Sequence, residues 1–198
     1  MKKFFFMVLA IVISAVNAQN TVPKTALDIA PLLIGEKIPN ATLKTSENTD
    51  VKISDLLKKK KTVLVFYRGG WCPYCNMHLQ ALAEAEKEIL DLGYQIAAVS
   101  SDAPKNLKST EEKDKVKYTL LSDSKGELIN AMGIAFQVPE NYKSVINANS
   151  NGDNKSFLPV PSVFIVNEEG EILFEYISPN FKHRISNELL VSVLKTFK

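Results

Sequence analysis

The run from Thr62 to Tyr67, Thr-Val-Leu-Val-Phe-Tyr, is β-branched, aliphatic or aromatic at every position. Apolar character without alternation predicts a strand buried on both faces. After Arg68-Gly69-Gly70 the period changes: Leu79, Leu82, Ala83, Ala85, Glu86 and Ile89 recur at helical spacing, which predicts a helix from about Pro73 to Leu92. Gly93 closes that helix, and Tyr94 to Ser100 reads as a second buried strand. A strand, helix and strand in this order predict a right-handed crossover between parallel strands. Further on, the charged stretch Lys105 to Lys117 predicts an exposed helix, Tyr118 to Leu121 a short strand, and Lys125 to Met132 another helix. Pro161 to Asn167 and Glu171 to Ile177 flank Glu168-Glu169-Gly170 as the arms of a hairpin, so an antiparallel pair ends the sheet. Ser186 is placed to cap a last helix, Asn187 to Phe197, with Leu189, Leu190, Val193 and Leu194 as its buried stripe. The polar segment Asn147 to Ser156 reads as a surface loop, and Lys58 to Lys61 as a solvated helix end.

The first eighteen residues break from this pattern. Lys2 and Lys3 precede the apolar run Phe4 to Val16, and Val16-Asn17-Ala18 puts small residues where a signal peptidase cuts. The run is shorter than the roughly 20 apolar residues of a membrane span, and Gln19 stands where a lipid-anchored protein would need cysteine. The expectation is a cleaved signal peptide at 1–18, an extension at 19–34 and one domain at 35–198, periplasmic or secreted, with no stable membrane insertion. A chain of 198 residues, 45% hydrophobic and 23% charged, suits one domain with a sizeable core. A formal charge of +2 sets up no field that argues for nucleic acid.

Two cysteines, Cys72 and Cys75, are too few for a disulfide scaffold. A loop this short contributes about 2 kcal/mol as a staple, against about 4.7 for a 100-residue loop. The pair therefore points to reactive chemistry, in a compartment where disulfides persist. Cys72 falls at a predicted helix N-terminus, where unpaired N–H groups and the helix dipole favour thiolate, and Pro73 suits the first helical turn. Cys75 lies one turn on, within reach for a disulfide. His78 extends the motif to Cys-x-x-Cys-x-x-His, a zinc half-site, yet the only other histidine is the distant His183, so no metal site is assigned. The plainer reading of His78 is a helix-surface residue. Trp71 serves equally as a core aromatic or as a cover for the thiol. Nothing in the sequence calls for a bound cofactor.

Phe66-Tyr67-Arg68-Gly69-Gly70-Trp71-Cys72-Pro73-Tyr74-Cys75-Asn76, Gly133-Ile134-Ala135-Phe136, Leu158-Pro159-Val160-Pro161 and Tyr176-Ile177-Ser178-Pro179 together resemble the peroxiredoxin-like branch of the alkyl hydroperoxide reductase and thiol-specific antioxidant family. The resemblance runs from about Gly35 to the C-terminus. It implies an α/β, thioredoxin-like fold, a central mixed β-sheet flanked by helices, and thiol-dependent reduction of hydroperoxides with electrons returned by a thioredoxin-like donor. With Phe66-Tyr67 in register, Cys75 falls on the family's peroxide-attacking cysteine, Cys72 replaces a threonine and Arg68 a proline. Pro161 stands where typical members carry a second arginine, and there the chain resembles thioredoxins, whose cis-proline lies beside the cysteine pair. Two assignments stay open: Cys72 attacks and Cys75 resolves, or the reverse. Arg68 either polarises the peroxide or further stabilises the thiolate, or is a surface charge at a strand end. Trp71, Pro73, Tyr74 and Pro161 are the candidate substrate contacts. A protein disulfide reductase uses the same residues and is the runner-up, and a zinc-binding or chaperone module is the third reading.

Overall fold

The computed structural model describes residues 22–197, so the signal-peptide reading of 1–18 lies outside the described residues. The central sheet has seven strands in the order β2-β1-β5-β4-β3-β8-β9. They are β1 (Thr42–Thr45), β2 (Asp50–Lys52), β3 (Thr62–Phe66), β4 (Gln95–Ser100), β5 (Thr119–Ser122), β8 (Ser162–Val166) and β9 (Ile172–Ile177). β6 (Ala135–Gln137) and β7 (Phe157–Pro159) make a separate antiparallel pair. β3, β4 and β5 run parallel, while β1, β8 and β9 join antiparallel. The expected mixed sheet is therefore present, with the hairpin of β8 and β9 at one end.

All five residues of β3 are buried, because both faces of the sheet are covered. Val63 and Val65 point into one core with Leu79, Leu82 and Ile89 of α2 (Pro73–Asp91) and Leu190 and Leu194 of α6 (Asn187–Thr196). Leu64 and Phe66 point into the other, with Ile53 and Leu57 of α1 (Ile53–Leu57) and Leu128 and Ile129 of α4 (Glu127–Ala131). Leu79 and Leu82 are fully buried, and each such side chain stabilises the fold by about 1.5–3 kcal/mol relative to exposure.

Several elements differ from expectation. α3 spans Pro104–Asp114 and ends at Lys115, whose φ of 54° is left-handed, so the helix stops short of Lys117. It is not wholly exposed either: Leu107, Thr110 and Asp114 are buried. In α6 Ser186 caps as expected, its Oγ accepting from Leu189 N at 3.2 Å, but the buried stripe is Leu190, Val191 and Leu194, and Leu189 is 49% exposed. The hydrophobic pattern alone left the face undefined by about one residue.

The segment Asn147 to Ser156 is not a plain surface loop. Its first residues belong to α5 (Lys143–Asn149), which follows a 3₁₀ turn at Glu140–Tyr142. Ile146 packs with Val138 and Leu158. Ser150 and Asn154 are buried: Asn154 Nδ2 donates to Phe157 O at 2.9 Å and its Oδ1 accepts from Ser156 N and Phe157 N. Polar side chains here replace the hydrogen bonds that a regular element would supply, which is why composition alone suggested solvent.

Residues before β1 lie along the second core. Leu32 N donates to Met132 O and Gln137 N to Pro23 O. Gly133, at φ +68°, is needed for this approach, since a Cβ there would lie 1.9 Å from Ala30 O. No helix among the described residues is long and apolar enough to cross a membrane.

Candidate active site

The site is built where β3 hands over to α2. Tyr67 N still pairs with Val99 O, after which the chain leaves the sheet through Gly69 and Gly70. Gly69 has φ +142°, and a Cβ on it would lie 2.3 Å from Trp71 Nε1; one on Gly70 would lie 2.0 Å from Thr110 Oγ1. Only glycine fits this tight return. Behind the turn, Asp102 Oδ2 accepts from Gly70 N at 2.7 Å and Lys113 Nζ donates to Gly70 O at 2.9 Å. Burial pushes the Asp102 carboxyl up to about 7, against the pull of Gly70 N–H, Ser100 and Lys113.

Cys72 is the N-cap residue of α2, in extended conformation, and Pro73 opens the helix. Its carbonyl accepts from Cys75 N at 3.0 Å and Asn76 N at 3.1 Å. Both cysteines are free and buried, Cys72 at 1% and Cys75 at 0% exposure. Cys72, at the helix head, is thus nearly as closed to solvent as Cys75. The Cys72 thiol is lowered to about 6, mainly by hydrogen bonding from the Cys75 thiol, then by the Cys75 backbone N–H and the charges of Arg68 and Arg184, with burial acting in the opposite direction. Burial, followed by the interaction with Cys72, drives Cys75 up. The arrangement holds one proton between two sulfurs and leaves it on Cys75.

Each sulfur has its own guanidinium. Arg68 Nη1 lies 3.9 Å from Cys72 Sγ, and Arg184 Nη2 lies 3.6 Å from Cys75 Sγ. Arg68 is not a surface charge: it is 3% exposed. Its Cζ lies 4.2 Å from the Phe181 ring centroid, 4.6 Å from that of Tyr142 and 4.9 Å from that of Trp71. Cation–π attraction replaces part of the lost hydration and holds the guanidinium in place. Arg184 is held from the other side by the carbonyls of Phe181 and His183.

The sequence-predicted residues Arg68, Trp71, Cys72 and Cys75 are thus brought together. Pro73 is exposed at the helix start, and Tyr74, 37% exposed, makes a T-shaped contact with Phe181, centroids 5.7 Å apart. Pro161 is buried at the head of β8, where its carbonyl accepts from Ser178 N at 3.0 Å. The bond before it, which the sequence left open, is trans: the described residues contain no cis peptide. His78 is also corrected: it is 6% exposed, not a helix-surface residue. Burial and the Arg184 charge lower it to about 4, so the imidazole is neutral at pH 7. Among the described residues no group of three or more His, Cys, Asp or Glu is arranged to hold a metal ion.

Asp102, Tyr142, Phe181 and Arg184 escaped the sequence reading. Arg184 reaches Cys75 across 109 residues of chain, and no local spacing announces such a contact. The signal that was available was weaker: Phe181-Lys182-His183-Arg184 packs an aromatic and two cations into a segment with no periodicity.

The architecture is shared with solved peroxiredoxins. Reduced Prx3 of Vibrio vulnificus, crystallised in complex with hydrogen peroxide, superposes with a TM-score of 0.70 at 19% identity, over 82% of this chain and 99% of that one. A peroxiredoxin-like protein from Aquifex aeolicus gives a TM-score of 0.70 at 18% identity, over 85% and 90%. Likeness at this level establishes a thioredoxin-like fold. In sequence, the peroxiredoxin Bcp of Escherichia coli K12 is 22% identical over 165 residues, 83% of this chain and 97% of that protein. Residues 34–174 match the model of the AhpC/TSA family. That match spans the strand, turn and helix that carry both cysteines, and the chain belongs to the AhpC/TSA family.

Proposed function

We propose that this chain is an exported thiol peroxidase that reduces hydroperoxides by cycling Cys72 and Cys75 between dithiol and disulfide. The observation that carries the reading is the division of the pair into a lowered thiol at the head of α2 and a raised one a turn inside it. The Cys72 thiolate attacks the terminal peroxide oxygen, the O–O bond breaks, and the departing oxygen takes a proton from water. Cys72 is then a sulfenic acid. Cys75 attacks its sulfur, the hydroxyl leaves as water with the proton Cys75 gives up, and a disulfide forms. Two electrons from a thioredoxin-like dithiol restore the pair. Arg68 donates toward the peroxide oxygens as charge develops on them, and Arg184 steadies Cys75 as it loses its proton.

Membership of the family and relatives with peroxiredoxin names support this reading. So does burial: a sulfur that is 1% exposed is open to a small peroxide before a protein disulfide. The reverse assignment has its own support, because Cys75 sits on the family's attacking position in register and has Arg184 at 3.6 Å. Peroxide consumption with a dithiol donor, measured for the intact protein, Cys72→Ser and Cys75→Ser, separates these. Cys75→Ser is expected to react once with peroxide and stop at a sulfenic acid that dimedone traps, while Cys72→Ser is inert. Trapping in Cys72→Ser alone reverses the roles. Peroxide reaction no faster than with free cysteine, alongside rapid reduction of a protein disulfide, replaces the peroxidase by a disulfide reductase. Export predicts that the protein recovered from its host begins at Gln19; recovery of an intact Met1 terminus in the cytoplasm refutes it.

A further inference from the structure

The rings around Arg68 do more than hold it. Trp71 comes from the turn before α2, Tyr142 from the 3₁₀ turn between β6 and α5, and Phe181 from the strap before α6. Trp71 and Tyr142 are themselves in contact, with centroids 5.4 Å apart and planes inclined at 39°. Three separate parts of the chain therefore meet around the guanidinium that faces the Cys72 sulfur at 3.9 Å, and Cys72 itself is 1% exposed. Tyr142 is backed by structure: its N–H donates to Pro139 O at 2.9 Å, and its side chain packs on the cluster of Val138, Ile146 and Leu158. Attack on a peroxide needs the terminal oxygen about 3–3.5 Å from the sulfur, with the rest of the molecule extending away in line. Hydrogen peroxide adds only a hydroxyl beyond that oxygen. An organic hydroperoxide adds a substituted carbon, and with its oxygens at Arg68 that carbon falls against the rings packed on the guanidinium.

We propose that the reduced site selects hydrogen peroxide over bulky organic hydroperoxides, and that Tyr142 is a specificity-determining residue for that choice. This rests on the peroxidase reading and deepens it by naming the substrate class. Trp71 is fixed by the return of Gly69 and Gly70, and Phe181 by the hold of its carbonyl on Arg184. Tyr142 is the member of the roof whose removal opens space without disturbing either cysteine's own element.

The test is the second-order rate of thiol oxidation by hydrogen peroxide and by cumene hydroperoxide, in single turnover, for the full chain and for Tyr142→Phe, Tyr142→Leu and Tyr142→Ala. Tyr142→Leu keeps an apolar side chain on the Ile146 cluster and guards against a variant that fails to fold. The wild type is expected to prefer hydrogen peroxide by at least about tenfold, the range a filled apolar pocket imposes on an added group. Tyr142→Phe keeps that ratio, and Tyr142→Leu and Tyr142→Ala bring it close to unity by raising the cumene hydroperoxide rate. Equal rates with the two peroxides in the wild type, or a ratio that Tyr142→Leu and Tyr142→Ala leave unchanged, overturn the proposal alone. Failure of both peroxides to exceed free cysteine overturns the peroxidase reading and this proposal with it.

Discussion

Cys72 and Cys75 occupy one turn of the same helix, both almost without solvent contact, yet one thiol is lowered to about 6 and the other is raised. Burial opposes ionisation at both. The surroundings differ in what offsets it. Around Cys72 the helix start supplies an N–H, the neighbouring thiol supplies a proton to share, and Arg68 stands close in an aromatic cage. Around Cys75 the charge of Arg184 and a backbone hydrogen bond from Arg68 are outweighed by deeper burial and by the interaction with Cys72. Hydrogen bonding within the pair, unequal burial and the charges gathered around it decide which sulfur carries the charge, and each arginine faces a different sulfur.

The sharpest way to break this comparison is to remove Arg68. Arg68→Met is expected to slow peroxide oxidation of Cys72 by about 100-fold, the usual consequence of losing one preorganised donor at a developing charge. It should also raise the pH at which iodoacetamide labels Cys72. An unchanged rate would mean that Arg68 supports the roof alone. A smaller and different effect is expected at Arg184. Arg184→Met slows the first oxidation less than Arg68→Met does, since its charge is the lesser of the two that lower Cys72, and slows closure of the disulfide by about tenfold, in line with a charge-assisted contact of about 1.5 kcal/mol; dimedone competition measures it.

The pH profile of the first oxidation tests the same contrast without mutation. The reactive form is the thiolate, so the rate rises as pH increases through about 6 and is level by pH 8. A profile still climbing at pH 8 would place the charge on neither sulfur in the resting state.

The smallest effects concern two buried groups on either side of the pair. His78, lowered to about 4, binds fewer protons in the folded state than in the unfolded one, so its contribution to stability is lost as pH falls from about 6.5 through 4. Asp102, raised to about 7, binds more protons when folded, so its contribution is lost as pH rises from about 4 through 7. Chemical denaturation at pH 5 and pH 7.5 is expected to show His78→Leu gaining relative stability at the lower pH and Asp102→Asn at the higher. Parallel shifts in the two variants would contradict these assignments.

Much of the scaffold was legible before the structure. β3, α2, β4 and the hairpin of β8 and β9 fall within a residue or two of where hydrophobic period and turn residues place them, because period and turn chemistry act over a few residues. The short pairs β1–β2 and β6–β7 were not legible. Outside an apolar run like that of β5, a strand of three or four residues carries too little pattern, and these pairs exist because the main sheet and the Ile146 cluster give them something to pack against. The exposure of Leu189 and the burial of His78 were misjudged for a related reason: a helix repeat specifies a stripe, and only the neighbour that arrives over it decides how wide the stripe is.

The linear chain by itself determined that two sulfurs stand at the start of a helix behind a glycine turn, since capping, proline placement and the close return of Gly69-Gly70 are local matters of dihedral angle and hydrogen bonding. Tertiary structure decided how deeply the two sulfurs are buried, which cations face them and what packs around Arg68. Those are properties of desolvation and of charge through space, set by Tyr142, Phe181 and Arg184, which lie far along the chain and a few ångströms from the site.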